Sequence, residues 1–386
     1  MVGRTSVEDT HLAELLGVKI EGTAFRDYFS LEEKMSISIR DFGDLSTGET
    51  VHIYHLENRS GAYAEVTEYG AILVKVVVPD REGTLTDVVL GYDDVKQYEV
   101  NGCFFGATIG RSGNRIANGT FMIDDRKVVL AQNENENNLH SGPDGMEKKI
   151  WQVEEQDGDD NSVTFYRISP DGENGFPGEF RISVKYEMTE ENELKIIYRG
   201  IAEETTVANY TNHSYFNLAG EGSGSILDQT LKICAQTYTP VIDSKSIPTG
   251  EYAPVAGTPM DFSQSKPIGQ DIEADFEQLK YTGGYDHNYV TDHYARGNCR
   301  KIASAYCEAT GIAMDVSSDC PCVQFYAGNF IVEEKGKNGH VYRKRDGFCL
   351  ETQVEPNAVN EEDFHSPIVE AGESYSSVTG YRFYVK

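Results

Sequence analysis

Apolar and polar residues alternate with a period of two along much of the chain. Phe180, Ile182, Val184, Tyr186 and Met188 interleave with Arg181, Ser183, Lys185 and Glu187, which predicts a strand with one buried face. Leu231, Ile233 and Ala235 repeat the pattern beside Lys232 and Cys234. The run from Ala71 to Val78 is apolar almost throughout and stops at Pro79-Asp80, as expected of a strand covered on both faces. Turn chemistry punctuates these runs at Asp124-Asp125, Pro170-Asp171-Gly172, Gly220 to Gly224, Thr249-Gly250 and Ala371-Gly372. No amphipathic helical stretch longer than about twelve residues follows residue 40. The pattern therefore predicts an all-β fold, a sandwich or a barrel. Residues 1–40 read differently, as an extension that is partly helical or weakly ordered. His11 to Leu16 and Ser30 to Lys34 carry weak helical propensity, with Ser30 placed to cap Leu31-Glu32-Glu33.

Composition narrows the functional classes. The 386 residues are 39% hydrophobic and 25% charged, the balance of a globular protein long enough to bury a large core without disulfides. Lys and Arg number 34 against 63 Asp and Glu, a net charge of −29. So negative a chain is a poor partner for nucleic acid, an anionic membrane surface or a highly charged anionic substrate. No apolar run approaches the roughly 18 residues of a membrane span, and the first twenty residues hold no run of secretory length. Seven cysteines scattered from Cys103 to Cys349 fit reduced thiols and a cytoplasmic location. Cys320-Pro-Cys322 is the one close spacing. It lacks a second pair to complete a zinc site and reads as small buried or loop thiols. The acidic clusters Glu154-Glu155, Asp159-Asp160 and Glu361-Glu362-Asp363 read as solvated turns without calcium-loop spacing.

Candidate chemistry concentrates around a few side chains. His52 and His55 fall on opposite faces of a strand, and His11, His293, His340 and His365 lie in polar surroundings. His140, His213 and His287 stand instead in windows dense in Asn, Asp, Ser and Tyr: Asn137 to Gly142, Thr211 to Asn217 and Gly284 to Asn288. Glu351 interrupts an apolar strand, after Phe348-Cys349-Leu350 and before Thr352-Gln353. Carried inward, it must be hydrogen-bonded and its pKa raised, as suits a general base; on the outer face it would be an ordinary solvated carboxylate. Pattern alone does not decide between the two. Arg115 sits in a glycine-bearing segment, Gly110 to Gly119, that lets backbone approach a ligand but lacks the ending of a phosphate loop.

Together these segments resemble the aldose 1-epimerase (galactose mutarotase) family. Asn114-Arg115-Ile116-Ala117-Asn118-Gly119, Asn138 to Gly142 and Trp151 match its first half. Asn212 to Leu218, Ile247 to Glu251, Thr258 to Phe262, Gly284 to Asn288, Val323 to Asn329 and Phe348 to Gln353 continue it in order. The resemblance runs from about Phe42 to the C-terminus. It implies a large antiparallel β-sandwich of the galactose mutarotase type, a supersandwich forming one catalytic domain over residues 41–386. It implies Glu351 as general base and His213 as general acid, with Asn114, Arg115, His140, Tyr215, Asp286 and Gln324 as sugar-binding and orienting groups. Two positions depart from the family pattern: Ser141 and Cys322 stand where glycine is usual, which bears on loop shape and sugar preference.

The implied reaction interconverts α and β anomers of a free aldose of the galactose or glucose type. A base takes the proton of the anomeric hydroxyl, an acid protonates the ring oxygen, and closing reverses both roles. Such a pair needs neither metal nor cofactor, and its partner is a small-molecule aldose handled by a monomer or homodimer. The acid role requires His213 protonated while Glu351 is ionised, and their proximity is expected to favour both charged forms. Three other readings remain: a sugar-phosphate mutarotase, which should add an Arg or Lys cluster; a glycoside-active enzyme, which needs two flanking carboxylates; and a non-catalytic carbohydrate-binding sandwich.

Overall fold

The computed structural model describes residues 36–386, and the helical segments expected near His11 and Ser30 lie outside the described residues. A nine-stranded sheet forms one layer. Its strands run in the spatial order Gln152–Asp157, Ser162–Ser169, Phe180–Met188, Glu193–Ala202, Ser374–Val385, Ile312–Ser318, Arg300–Tyr306, Thr230–Ile233 and Lys266–Pro267. Two five-stranded sheets face it. One is ordered Ser36–Asp44, Thr50–Glu57, Tyr63–Thr67, Ile72–Pro79 and Leu85–Asp87; the other Ala253–Pro254, Ala235–Thr239, Asp286–Thr291, Cys322–Tyr326 and Cys349–Gln353. Neighbouring strands in all three sheets are antiparallel. The fold is a sandwich, not a barrel. Strand Ser36–Asp44 runs through the expected boundary at residues 40 and 41 and pairs with Thr50–Glu57.

Periodicity and packing agree. In Phe180–Met188 the residues in step with Phe180 are buried, and Arg181 between them is exposed. Ile72–Pro79 is covered on both sides, as its continuous apolarity predicts. Leu73, Val76 and Val78 join the central core, while Ile72 and Val74 join a second cluster with Tyr92, Phe105 and Tyr215. The central core draws side chains from all three sheets, among them Val184, Val316, Val66, Tyr289 and Leu350. Polar ties cross it: the Tyr381 hydroxyl donates to the Leu350 carbonyl at 3.0 Å and the Tyr186 hydroxyl to that of Ala71 at 2.7 Å. Each satisfies a buried group that would otherwise cost about 1–3 kcal/mol.

Arg111 has a structural role. Fully buried, it donates to the carbonyls of Ser169, Pro170, Pro177 and Gly178, stapling the loops at one end of the sandwich. The helices among the described residues are short, the α-helices being Val95–Glu99 and Glu277–Thr282. None of the described helices is long and apolar enough to cross a membrane.

Candidate active site

The site is built on the face of the second five-stranded sheet that points away from the central core. Tyr289, Val323, Phe325 and Leu350 fill the core. The residues alternating with them, Asp286, Asn288, Gln324, Tyr326, Cys349 and Glu351, turn the other way. Register aligns them: Glu351 lies opposite Gln324, and Gln324 opposite Asn288. Glu351 is nonetheless only 2% exposed, because loops cover this face. The carboxylate is buried as one expectation held, but on the outer side of the sheet as the other did.

Those loops close a cavity of about 290 Å³, at the small end for ligand sites. It is lined by Gly102, Cys103, Phe104, Asn114, Arg115, Glu134, Leu139, His140, His213, Tyr215, Asp286, Tyr326, Phe330 and Glu351. Seven of the eight site residues expected from sequence line it. Gln324 stands behind the wall, donating from Nε2 to Asp286 Oδ1 at 2.7 Å. The turn before Asp286 needs its glycine: Gly284 has φ +138°, and a Cβ there would lie 2.3 Å from Asn329 Oδ1. Asn329 in turn donates to the carbonyls of Thr282 and Tyr285.

His213 ends the short strand Thr211–His213, paired with Ala107–Ile109. Its Nε2 lies 3.8 Å from Glu351 Oε1, and its Nδ1 lies 3.6 Å from Cys349 Sγ. Tyr215 and Phe104 pack on the ring. His140 and Arg115 come from the paired strands Asn138–Leu139 and Arg115–Ile116. Asn114 and His140 lock each other: the His140 N–H donates to the Asn114 carbonyl, and the Asn114 N–H donates to His140 Nδ1 at 3.2 Å. The neutral ring is thereby assigned its proton on Nε2, as a donor. Asn114, His140 and Ser141 all have positive φ, a conformation that costs non-glycine residues about 1 kcal/mol each. Ser141, in place of the expected glycine, offsets this with its hydroxyl, which accepts from the Ser112 N–H at 2.8 Å and donates to the Ser112 carbonyl.

Three features escaped the sequence reading. Glu134 grips Arg115 in a fork, taking Nε at 2.6 Å and Nη2 at 2.8 Å; among the described residues Nη1 has no partner. Phe104, Tyr326 and Phe330 supply the aromatic wall that composition alone could not assign. Cys349 touches the rear of His213. His287, flagged beside the others, faces away from the cavity; burial pushes its pKa down to about 3, and it has a structural role.

Electrostatics correct the expectation of a resting ion pair. Burial, reinforced by the Asp286 charge and opposed by Arg115, raises the Glu351 pKa well above its usual range. Burial lowers His213 to about 4. His140 is pushed well down by burial, His213 and Arg115. Asp286 is raised by burial against the pull of Arg115 and Gln324. Desolvation outweighs proximity: burial disfavours the charged form of both Glu351 and His213, against the ion pair that closeness alone would favour. The donor atoms of His140, His213 and Glu351 lie within 4.8 Å of one another, a set that could also ligate a metal ion.

A buried carboxylate and a buried imidazole side by side in a cavity of mixed polar and aromatic lining are the groups of an acid–base enzyme for a small polyol. The sequence profile of the aldose 1-epimerase family matches residues 52–382. The chain is 41% identical to the galactose mutarotase of Homo sapiens over 353 residues, which cover 91% of this chain and 99% of that one. It is 34% identical to the aldose 1-epimerase of Escherichia coli K12 over 339 residues, 87% and 96% of the two chains. Galactose 1-epimerase from Lactobacillus acidophilus superposes with a TM-score of 0.79 at 26% identity, covering 91% of this chain and 99% of its own. The chain belongs to the aldose 1-epimerase family. It is an isomerase, and its chemistry is aldose mutarotation.

Proposed function

We propose that the cleft takes an unphosphorylated aldose of the galactose or glucose type, with Glu351 as general base and His213 as general acid. The observation that carries this reading is the 3.8 Å gap between His213 Nε2 and Glu351 Oε1 at the cavity wall. The ring oxygen and the anomeric hydroxyl hang from one carbon. An acid and a base that each reach one of them at about 2.6–3.2 Å must themselves stand close together. Glu351 takes the hydroxyl proton while His213 protonates the ring oxygen; the C1–O bond breaks, the aldehyde rotates, and closure returns both protons.

The perturbed pKa values serve both roles. A carboxylate with a raised pKa is a stronger base, and an imidazolium with a lowered pKa is a stronger acid. The bound sugar supplies a hydroxyl donor to the carboxylate and an acceptor to the imidazolium, which moves the shared proton from Glu351 to His213. His140 Nε2, Asn114 and Arg115 Nη1 donate to sugar oxygens, and Asp286, braced by Gln324, accepts from hydroxyls. Tyr215 holds the His213 ring, and Phe104, Tyr326 and Phe330 cover the apolar sugar face.

The cleft's one guanidinium is already paired with Glu134, and two further carboxylates face the cavity. That balance disfavours a phosphorylated aldose. We read residues 41–386 as a single catalytic domain, acting in the cytoplasm as a monomer or homodimer on neither nucleic acid nor membrane. Polarimetry on freshly dissolved α-glucose and α-galactose tests the reading. The protein should accelerate approach to equilibrium with no cofactor added, and no acceleration over buffer on a panel of hexoses and pentoses would refute it.

A further inference from the structure

Beyond the acid–base pair, the same sheet face carries a second cluster. Cys322, fully buried, lies opposite Gln353 in the pairing of Cys322–Tyr326 with Cys349–Gln353, the next position on the outer face beyond Gln324 and Glu351. Its sulfur, a carboxylate oxygen of Glu355 and an imidazole nitrogen of His365 lie within 4.8 Å of one another. Glu355 is held in place: Oε1 accepts from His365 Nδ1 at 2.9 Å and from the Tyr252 hydroxyl at 2.8 Å, and Oε2 from the His365 N–H at 3.1 Å. The zinc site that the Cys320-Pro-Cys322 spacing lacked in sequence finds its partners on a distant loop.

We propose that Cys322, Glu355 and His365 bind a borderline-soft divalent cation, Zn²⁺ in type, which clamps the 355–365 loop to the sheet bearing the acid–base pair.

The donor set is one thiolate, one imidazole and one carboxylate, the N, S and O mixture that Zn²⁺ takes and that Mg²⁺ and Ca²⁺ do not. Tetrahedral bonds of about 2.0–2.3 Å place donors roughly 3.3–3.8 Å apart, so the 4.8 Å set needs only small adjustments, the His365–Glu355 pair opening slightly from its 2.9 Å hydrogen bond. Two independent features support it. Among the described residues Asn288 Nδ2 is buried without a hydrogen-bond partner, and Asn288 lies on the same sheet face as Cys322, on the adjacent strand. An orphaned amide donor beside sulfur is the outer-shell group a metal-bound thiolate requires. His365, with its side chain 34% exposed, also lines a cavity of about 240 Å³ with Tyr294 and Cys320, which gives an ion access from solvent.

Binding expels the Cys322 thiol proton to solvent and moves the His365 proton from Nδ1 to Nε2, so that Nδ1 and sulfur both ligate. The clamped loop bears on the catalytic cleft. The Asn357 N–H donates to the Arg115 carbonyl at 2.7 Å, and Asn357 Oδ1 accepts from the Ala117 N–H at 3.0 Å.

Chelator-stripped full-length protein titrated with Co²⁺ tests the proposal. One equivalent should bind with a thiolate-to-cobalt charge-transfer band in the near ultraviolet, which Zn²⁺ then abolishes by displacement. Cys322→Ser should lose the band. Cys349→Ser, which removes the thiol against His213, should keep it. Because Cys322 is buried, His365→Asn provides a second arm on a half-exposed side chain: Zn²⁺ should raise the Tm of the wild type and leave this variant unmoved. Absence of the band in wild type overturns the proposal. So does a band that survives Cys322→Ser and vanishes in Cys349→Ser, since the metal would then sit in the catalytic cleft.

Discussion

Replacing Glu351 by Gln separates catalysis from stability, because the structure gives the two effects opposite signs. Gln keeps the shape and some hydrogen-bonding capacity but cannot take the anomeric proton. A general base is worth about 10²–10⁴-fold, so the barrier should rise by about 2.7–5.5 kcal/mol and kcat should fall accordingly. His213→Asn should cost a similar factor, and the double variant less than the product, because both groups act in the same step. Stability should move the other way. Glu351 is buried, its Oε2 has no partner among the described residues, and burial, with the Asp286 charge, pushes its pKa up. A carboxylate raised on folding contributes stability below its unfolded pKa and loses it as pH rises towards the folded value. The neutral Gln escapes that loss. Glu351→Gln should therefore be more stable than wild type by about 1–2 kcal/mol near neutral pH, the usual scale when an active site sheds a strained group. The margin should shrink towards pH 5. Polarimetry gives the first quantity, and denaturant midpoints at two pH values give the second. A folded Glu351→Gln with near-wild-type kcat would place the base elsewhere. A variant destabilised at every pH would make Glu351 a structural partner of His213 and not a strained base.

Asp286→Asn removes an acceptor braced by Gln324 and should raise KM at least as much as it lowers kcat, as steady-state kinetics on the preferred aldose would reveal. Glu134→Gln breaks the fork that aims Arg115 and should lower kcat/KM by about tenfold to a hundredfold, the scale of one or two charge-assisted hydrogen bonds; an unchanged KM would show that Arg115 holds its position unaided. The catalytic pair must carry a single proton, and a second one enters at His213, whose pKa burial lowers to about 4. The acid limb of kcat/KM should therefore fall near pH 4, and a limb near 6.5, the ordinary histidine value, would contradict the burial argument.

Strand positions were legible because alternation is a local signal: Phe180–Met188 and Ile72–Pro79 pack as their patterns require. Glu351 stood out for the same reason, as a carboxylate inside an apolar strand. Which way it faced was not legible, since the loops that bury it come from residues 102–104, 114–115 and 134–140, far away in sequence. Glu134 was hidden by its surroundings. Asn133 to Asn137 is a polar run of the kind a solvated turn shows, and only the pairing of Arg115–Ile116 with Asn138–Leu139 folds it back onto Arg115. Cys322 stood out by its spacing from Cys320, but its neighbours Glu355 and His365 were hidden likewise, since they arrive on another loop.

The electrostatic balance of the pair was not legible for a deeper reason. Opposite charges placed close together in water stabilise one another, and a sequence motif conveys only that closeness. Inside a walled cavity the loss of hydration is the larger effect, and it disfavours the charged forms of both Glu351 and His213. That same desolvation makes the carboxylate a stronger base and the imidazolium a stronger acid than either is in water. An aldose supplies both missing hydrogen bonds at once, so substrate binding itself charges the pair. The strength of the base, the strength of the acid and the cost of charging either one in the empty cleft have one cause, the loops that close over the outer face of the sheet.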